Sequence, residues 1–260
     1  MLGRFRFPFK GSWIELIDRP GDWMSDTELS TLRDRLIDVM VSRVGETLNP
    51  GYFSTRRDMS ARLVLIASRG GQDTCFTAMA YAGRYQGRLV LHSGLTVSLQ
   101  EARGMMQWLY AFGTGYVIMK QGFRRVWCTS ITHTPRIYGS FVAYYRDVFP
   151  NLDPTARPKD FHIAIRDKVV NDYARRVLGA EKPPEIDGRF VLPGLRAKPD
   201  GGLFLPVDEK TVAQHRDPKV NKRVAKLLDY ARGDDVLQVG WLAPVAIMEA
   251  MFRGGFIRKG

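Results

Sequence analysis

The segment from Leu89 to Leu109 combines the residue types and spacing of an anion-binding site. Residues 88–97 predict a strand, a short polar loop that ends at Gly104 follows, and a helix starts after the glycine. Such a passage presents unpaired backbone N–H groups and the positive end of a helix. A glycine lets this backbone approach phosphate closely. The pattern predicts a site for a pyrophosphate-bearing ligand, and an ordinary strand-to-helix turn is the alternative.

Two histidines in or at the end of the predicted strands around this segment are candidate general bases. His92 lies in the strand before the loop, and His133 lies at the end of the next predicted strand. An imidazole titrates near neutrality and can accept a proton from a reacting group. Tyr138, Tyr144 and Tyr145 are candidate acids. Hydrogen-bonded structural histidines and core tyrosines are the alternatives.

The cysteine pattern argues against metal and disulfide chemistry. Cys75 and Cys128 are too few for a disulfide framework and lack the spacing of a metal site. Histidines and carboxylates do not cluster along the chain in a way that indicates a metal. We therefore predict two reduced thiols and no metal cofactor.

The elements that must position these residues follow an α+β order. The first 150 residues are predicted as strand, helix, three strands, helix, strand and helix. The basic, aromatic residues 4–10 are expected to form an arm. The predicted strands are 13–17, 62–67, 74–82, 88–97 and 125–131. The predicted helices are 25–44, 99–120 and 135–145.

The chain changes character after Pro150, where prolines become frequent. Helices are predicted over 160–178 and 220–230, with a final strand over 235–242 and a long Pro/Gly-rich loop over 182–206. We predict a framework of residues 1–150 and a C-terminal extension of residues 151–260 packed on it.

The loop around Gly104 resembles the acyl-CoA motif of the GNAT (N-acyltransferase) superfamily, an Arg/Gln-x-x-Gly-x-Gly/Ala sequence after the fourth strand. Glu101 takes the first position of the motif, Gly104 the central one and Met106 the last, and Arg103-Gly104 matches the common basic-glycine pair. The strand and helix that follow match the superfamily's element order, and the resemblance spans about residues 13–150. It implies a mixed, largely antiparallel sheet flanked by helices.

The resemblance also implies roles for individual residues in acyl transfer. The backbone at Leu95, Thr96 and Val97 corresponds to the splayed strand that donates an N–H group to the thioester carbonyl. The residues Arg103, Gly104 and Met105 correspond to the loop that binds the donor. The donor is then an acyl-CoA or an acyl-phosphopantetheine thioester on an acyl carrier protein. The acceptor, a small-molecule amine or hydroxyl, attacks it directly.

The net charge of +12 indicates an anionic partner but does not identify it. A basic protein attracts anions, among them CoA and an acidic acyl carrier protein. Basic residues are spread along the chain, which disfavours nucleic acid as the partner. Two further readings stay open, a catalytically silent GNAT-fold binding or regulatory module and a nucleic-acid-associated protein. No apolar run is long enough to span a membrane or follows a signal-like N-terminus, so a cytoplasmic location is predicted.

Overall fold

A computed structural model describes residues 3–45, 53, 55–102, 104–174, 183–196 and 211–242. These residues form two compact units. The first unit contains residues 3–81 and 93–124, and the second contains residues 82–92 and the described residues from 125 onward. Among all the described residues, no helix is both long and apolar enough to cross a membrane.

Nine strands and seven α-helices are found within the described residues. The strands are β1 Arg4–Phe9, β2 Ser12–Asp18, β3 Arg62–Arg69, β4 Gln72–Tyr85, β5 Arg88–Ser98, β6 Val126–Thr132, β7 Arg146–Phe149, β8 Val191–Leu192 and β9 Asp235–Leu242. The helices are α1 Pro20–Trp23, α2 Asp26–Val44, α3 Arg56–Ser60, α4 Met105–Lys120, α5 Pro135–Tyr144, α6 Asp160–Lys168 and α7 Pro218–Leu227.

Strand pairing follows the order β1-β2-β3-β4-β5-β6-β9-β7, and β8 also pairs with β9. Antiparallel pairing predominates, whereas β5 and β6 are parallel. The predicted α+β class, with a largely antiparallel sheet flanked by helices, is confirmed. Strand β9 lies in the region predicted as an extension, yet it pairs with β6 and β7. The division at residue 150 stays a prediction.

An aromatic ladder fixes the position of α4 in the first unit. The side chains of Phe5, Phe7 and Phe9 lie on one face of β1 because successive strand residues alternate between faces. They contact α4 residues spaced four apart: ring centroids are 4.8 Å apart for Phe9–Trp108, 5.1 Å for Phe7–Phe112 and 5.9 Å for Phe5–Tyr116. Residues four apart share one helix face, so the ladder aligns α4 along β1.

The buried carboxylate of Asp18 anchors the C-terminal end of the same helix. It accepts hydrogen bonds from the hydroxyls of Tyr81 at 2.7 Å and Tyr116 at 2.9 Å and forms an ion pair with Lys120. Burial, together with the Asp18 carboxylate, raises the pKa of both tyrosines, so their hydroxyls stay protonated donors. Helix α4 is therefore held at both ends.

The second unit is organised around β6 and β9. These strands pair from Val126↔Leu242 to Thr132↔Val236. The helices α5 and α7 pack together over a cluster that includes Tyr138, Val191, Val224 and Val236. This pairing sets the end of β6 beside the beginning of β9.

A buried histidine in α6 gives the second unit a pH-dependent stability. His162 Nδ1 accepts the N–H of Lys159 at 2.9 Å, and Nε2 donates to the carbonyl of Asp147 at 2.6 Å. The bond that Nδ1 accepts requires the neutral ring, and burial lowers the pKa of His162. A lowered folded-state pKa contributes stability that is present above the unfolded value of about 6.5 and is lost as pH falls below it.

We therefore expect urea unfolding to show a His162 contribution that declines between about pH 7 and pH 5. His162→Gln should lose more stability relative to the wild type at pH 8 than at pH 5. A loss of equal size at both pH values would contradict this assignment.

Three segments differ from the sequence-based expectations. Residues 4–9, expected as an arm, form strand β1. Helix α4 begins at Met105, because Gln100–Ala102 form a 3₁₀ turn and Gly104 has a left-handed conformation. Helix α6 ends at Lys168 and continues as a π-helical segment, Val169–Ala174. The rest of the expected 160–178 helix, and much of the 182–206 loop, lie outside the described residues.

Candidate functional site

Strand β5 contains a distortion just before the residues predicted to bind the thioester. Gly94 has φ +66°, and a Cβ atom built there would lie 1.9 Å from the carbonyl oxygen of Ala78 on β4. Only glycine fits both the conformation and this close approach. A glycine inside a strand commonly marks such a site. Gly94 therefore sets the path of the backbone into Leu95, Thr96 and Val97.

We expect Gly94→Ala to destabilise the protein by at least about 3 kcal/mol, because it adds a clash with a backbone oxygen to left-handed strain. Gly70→Ala is the matched control: its φ is +58°, but its Cβ meets nothing within 4 Å. The control should lose only the strain energy, about 1–2 kcal/mol. Equal losses for both variants in urea unfolding would show that the approach to Ala78 is unimportant.

The edge of β5 changes at His92. Among the described residues, the parallel pairing with β6 covers Val90, Leu91 and His92 and does not continue, although β5 runs on to Ser98. The Thr96 hydroxyl donates to Thr77 Oγ1 at 2.8 Å and lies 2.7 Å from the hydroxyl of Tyr110. Its side chain therefore ties β5 to β4 and α4. The groups of this stretch that are suited to a ligand are those of its backbone.

Gly104 is the N-cap residue of α4, in agreement with the expected helix start. Its φ is +86°, no side chain caps the helix there, and its Cβ position faces open space. Met105 is the first helical residue and is half-buried. Arg103 lies outside the described residues. The first turn of α4 thus offers N–H groups that no cap side chain occupies.

His92 is buried in the second unit, with only 2% of its surface exposed. Its Nδ1 lies 2.9 Å from Thr129 Oγ1 on the neighbouring strand β6. These are the contacts of a hydrogen-bonded structural histidine, the alternative that the sequence left open.

His133 lies directly after β6, and its Nδ1 is 3.0 Å from Asp235 Oδ1. The His133 side chain is 21% exposed, whereas that of Asp235 is 2% exposed. A buried carboxylate that holds one ring nitrogen leaves the other nitrogen to act as a base. Of the two predicted bases, His133 has the arrangement that suits proton transfer.

Sequence analysis missed Asp235 and Arg196. Arg196 Nε lies 3.3 Å from Asp235 Oδ2, and the Arg196 side chain is 1% exposed. The backbone N–H of Arg196 donates to the carbonyl of Gly233 at 3.0 Å, which holds this segment beside β9. The usable signal was their position: His133 lies two residues after the predicted strand 125–131, and Asp235 is the first residue of the predicted strand 235–242.

Tyr138 does not have the surroundings expected of a catalytic acid. The ring is fully buried, and its hydroxyl donates to the carbonyl of Asn151 at 2.8 Å. Burial raises the pKa of Tyr138 to about 12, although Arg223 opposes the shift. Its contacts are those of a core tyrosine.

The two cysteines are free and buried. Burial raises the pKa of Cys75 to about 11 and raises that of Cys128 further. Because the thiolate is the reactive form, neither residue has the character of a nucleophile. Within the described ranges, no group of three or more His, Cys, Asp or Glu side chains is arranged to hold a metal ion.

Several solved structures of acyltransferases resemble part of this chain. A ribosomal-protein-S5-alanine acetyltransferase from Vibrio fischeri matches at 11% identity and a TM-score of 0.33, over 49% of this chain and 74% of that one. An acyl-CoA N-acyltransferase from Pseudomonas aeruginosa matches at 18% identity and a TM-score of 0.36, over 53% of this chain and 91% of that one. A ribosomal-protein-alanine N-acetyltransferase from Brucella melitensis matches at 14% identity and a TM-score of 0.27, over 40% of this chain and 70% of that one.

No protein-family model and no curated protein matches the sequence. The structural alignments are too weak for a function to be carried over from them. The element order β5, α4, β6, α5 in a largely antiparallel sheet is nevertheless the one that the GNAT resemblance implies. The observed fold is an α+β sheet with that element order.

Proposed function

We propose that this protein is an acyltransferase that moves an acyl group from a thioester donor to an amine or hydroxyl acceptor by direct attack. The observation that carries the proposal is the first-unit backbone at residues 94–98 and at residues 104–105. Among the described residues, the edge of β5 that pairs with β6 has no strand partner beyond His92, and the start of α4 has no side-chain cap.

Each half of this backbone supplies an interaction that acyl transfer needs. A backbone N–H group of the stretch Leu95, Thr96 and Val97 donates to the thioester carbonyl, where negative charge develops in the transition state. The start of α4 at Gly104 and Met105 binds the donor phosphates through backbone N–H groups and the helix dipole. We assign the base to His133 on the geometry of its own unit, where Asp235 holds one ring nitrogen. Arg103, by its charge and place in the sequence, adds to phosphate binding in this proposal.

The test is turnover of acetyl-CoA and of acetyl-phosphopantetheine on an acyl carrier protein, each with a panel of amines and alcohols. Free thiol release and the mass of the acylated acceptor are measured together. The proposal requires both products in equal amounts for at least one donor. If neither donor binds or is turned over, the catalytically silent GNAT-fold module is favoured instead.

Salt dependence distinguishes the donors and separates them from nucleic acid. An acidic carrier protein is steered by exposed charges that are screened over about 8 Å at physiological ionic strength, so its association slows as salt rises. Turnover of a small thioester changes less. The nucleic-acid reading instead requires log affinity to fall linearly with log salt, because counterions are released.

A further inference from the structure

The pairing of β6 with β9 places a histidine beside a carboxylate 102 residues away in the sequence. The register pairs Thr132 with Val236, so one more step along each antiparallel strand sets His133 opposite Asp235. The two side chains meet there, with Nδ1 3.0 Å from Oδ1. Their contact follows from the sheet register rather than from a flexible surface encounter.

The backbone on both sides of His133 is also fixed. The Tyr230 hydroxyl donates to the His133 carbonyl at 2.8 Å, and the Thr134 N–H donates to Thr132 Oγ1 at 3.0 Å. Pro135 then begins α5. The imidazole is therefore carried on a two-residue connection between a strand and a helix, and hydrogen bonds fix the backbone of that connection.

Arg196 completes a series of three side chains that we call the His133 triad: His133, Asp235 and Arg196. The Arg196 guanidinium forms a buried ion pair with the Asp235 carboxylate, with Nε 3.3 Å from Oδ2. An ionised carboxylate only accepts hydrogen bonds. Nδ1 of His133 must then carry the proton, and Nε2 keeps its lone pair.

We propose that Asp235, held by Arg196, is the positioning residue that keeps His133 in the tautomer of a general base; this inference rests on the proposed function. During transfer the acceptor nitrogen or oxygen bonds to the acyl carbon and gives its proton to Nε2 of His133. The C–S bond then breaks, and the leaving thiolate takes up a proton. The Asp235 carboxylate stabilises the imidazolium formed in between.

The neighbouring Asp234 provides a matched control. It is buried like Asp235, but it pairs with Arg232 at 2.7 Å and accepts the backbone N–H groups of Gly194 and Asp229. Burial opposes ionisation, but these donors outweigh it and lower the pKa of Asp234. Its role is to hold the turn before β9, without contact to an imidazole.

The first arm of the test reads the tautomer directly. Long-range ¹H–¹⁵N spectra of the ¹⁵N-labelled full-length protein resolve its four histidines, and His133→Gln assigns the His133 signals. We expect neutral His133 to be protonated at Nδ1 in the wild type and in Asp234→Asn. In Asp235→Asn the Nε2–H tautomer should become the major form. A wild-type ring protonated at Nε2 overturns the inference and leaves the proposed donor site untouched.

The second arm measures turnover of acetyl-CoA by water, so that no acceptor has to be known. Asp235→Asn should lower kcat by about 10²-fold or more with little change in KM, because a general base contributes about 10²–10⁴-fold. Asp234→Asn should keep kcat within about 3-fold, a range far smaller than the effect of a base. If the His133 tautomer switches in Asp235→Asn without any loss of kcat, the role of Asp235 in catalysis is contradicted. If the wild type turns over neither acetyl-CoA in water nor either donor with the acceptor panel, the proposed function fails, and the tautomer result still reports on the pairing.

One further variant guards against a folding defect. Asp235→Asn leaves the buried Arg196 without its partner, which is destabilising. The double variant Asp235→Asn/Arg196→Met removes that charge and carries the same tautomer and kcat expectations. Folding is checked for each variant by thermal unfolding, and a double variant with wild-type kcat contradicts the inference.

Discussion

His133→Gln is expected to lower the turnover of an acyl thioester by about 10²–10⁴-fold. Glutamine retains a hydrogen-bonding side chain of similar length, yet it cannot accept and release a proton near neutral pH. The donor should still bind, because the donor site belongs to the backbone around Gly104. The effect should therefore appear in kcat, with little change in the Kd for CoA.

His92→Gln separates the two predicted bases. His92 is buried against Thr129. Its replacement should therefore lower the free energy of unfolding, while the protein that remains folded should keep most of its turnover. A large loss of turnover in His92→Gln, with His133→Gln near the wild type, would assign the base to His92 instead.

Gly104→Val is expected to weaken CoA binding by at least about 10-fold, which corresponds to about 1.4 kcal/mol. A branched side chain at the start of α4 keeps phosphate away from the backbone N–H groups. The fold should survive, because the Cβ position meets nothing within 4 Å. Calorimetric titration with CoA measures the change.

Gly122→Val is the control at the other end of α4. Gly122 has φ +65°, and its Cβ position is equally open. Both variants therefore add left-handed strain of about 1–2 kcal/mol, but only Gly104→Val lies in the donor site. Equal CoA affinity in the two variants would remove the Gly104 loop from donor binding.

Local signals were enough to predict the donor segment and most of the elements. The strand through Val97, the glycine before α4 and the bounds of β9 follow from patterns within a few residues. The alternation of Phe5, Phe7 and Phe9 is also a strand signal, although these residues were expected to form an arm. Gly94 was visible as a glycine in a strand, but its approach to Ala78 depends on strand pairing.

The candidate base site was less accessible from sequence. His133 and Asp235 are 102 residues apart, and only the register of β6 and β9 brings them together. Arg196 comes from a turn after β8, a strand of two residues that periodicity cannot detect. Tyr138 was proposed from its residue type, whereas its burial follows from the packing of α5 against α7.

The most direct test of the central claim is binding of a thioester by the freshly purified wild-type protein. Native mass spectrometry, followed by calorimetric titration with CoA and with acetyl-phosphopantetheine on an acyl carrier protein, identifies the donor and its stoichiometry. We expect one donor to bind per chain, with an affinity that Gly104→Val reduces. Tight binding of DNA or RNA at physiological salt, together with no binding of either thioester donor, would contradict the proposal.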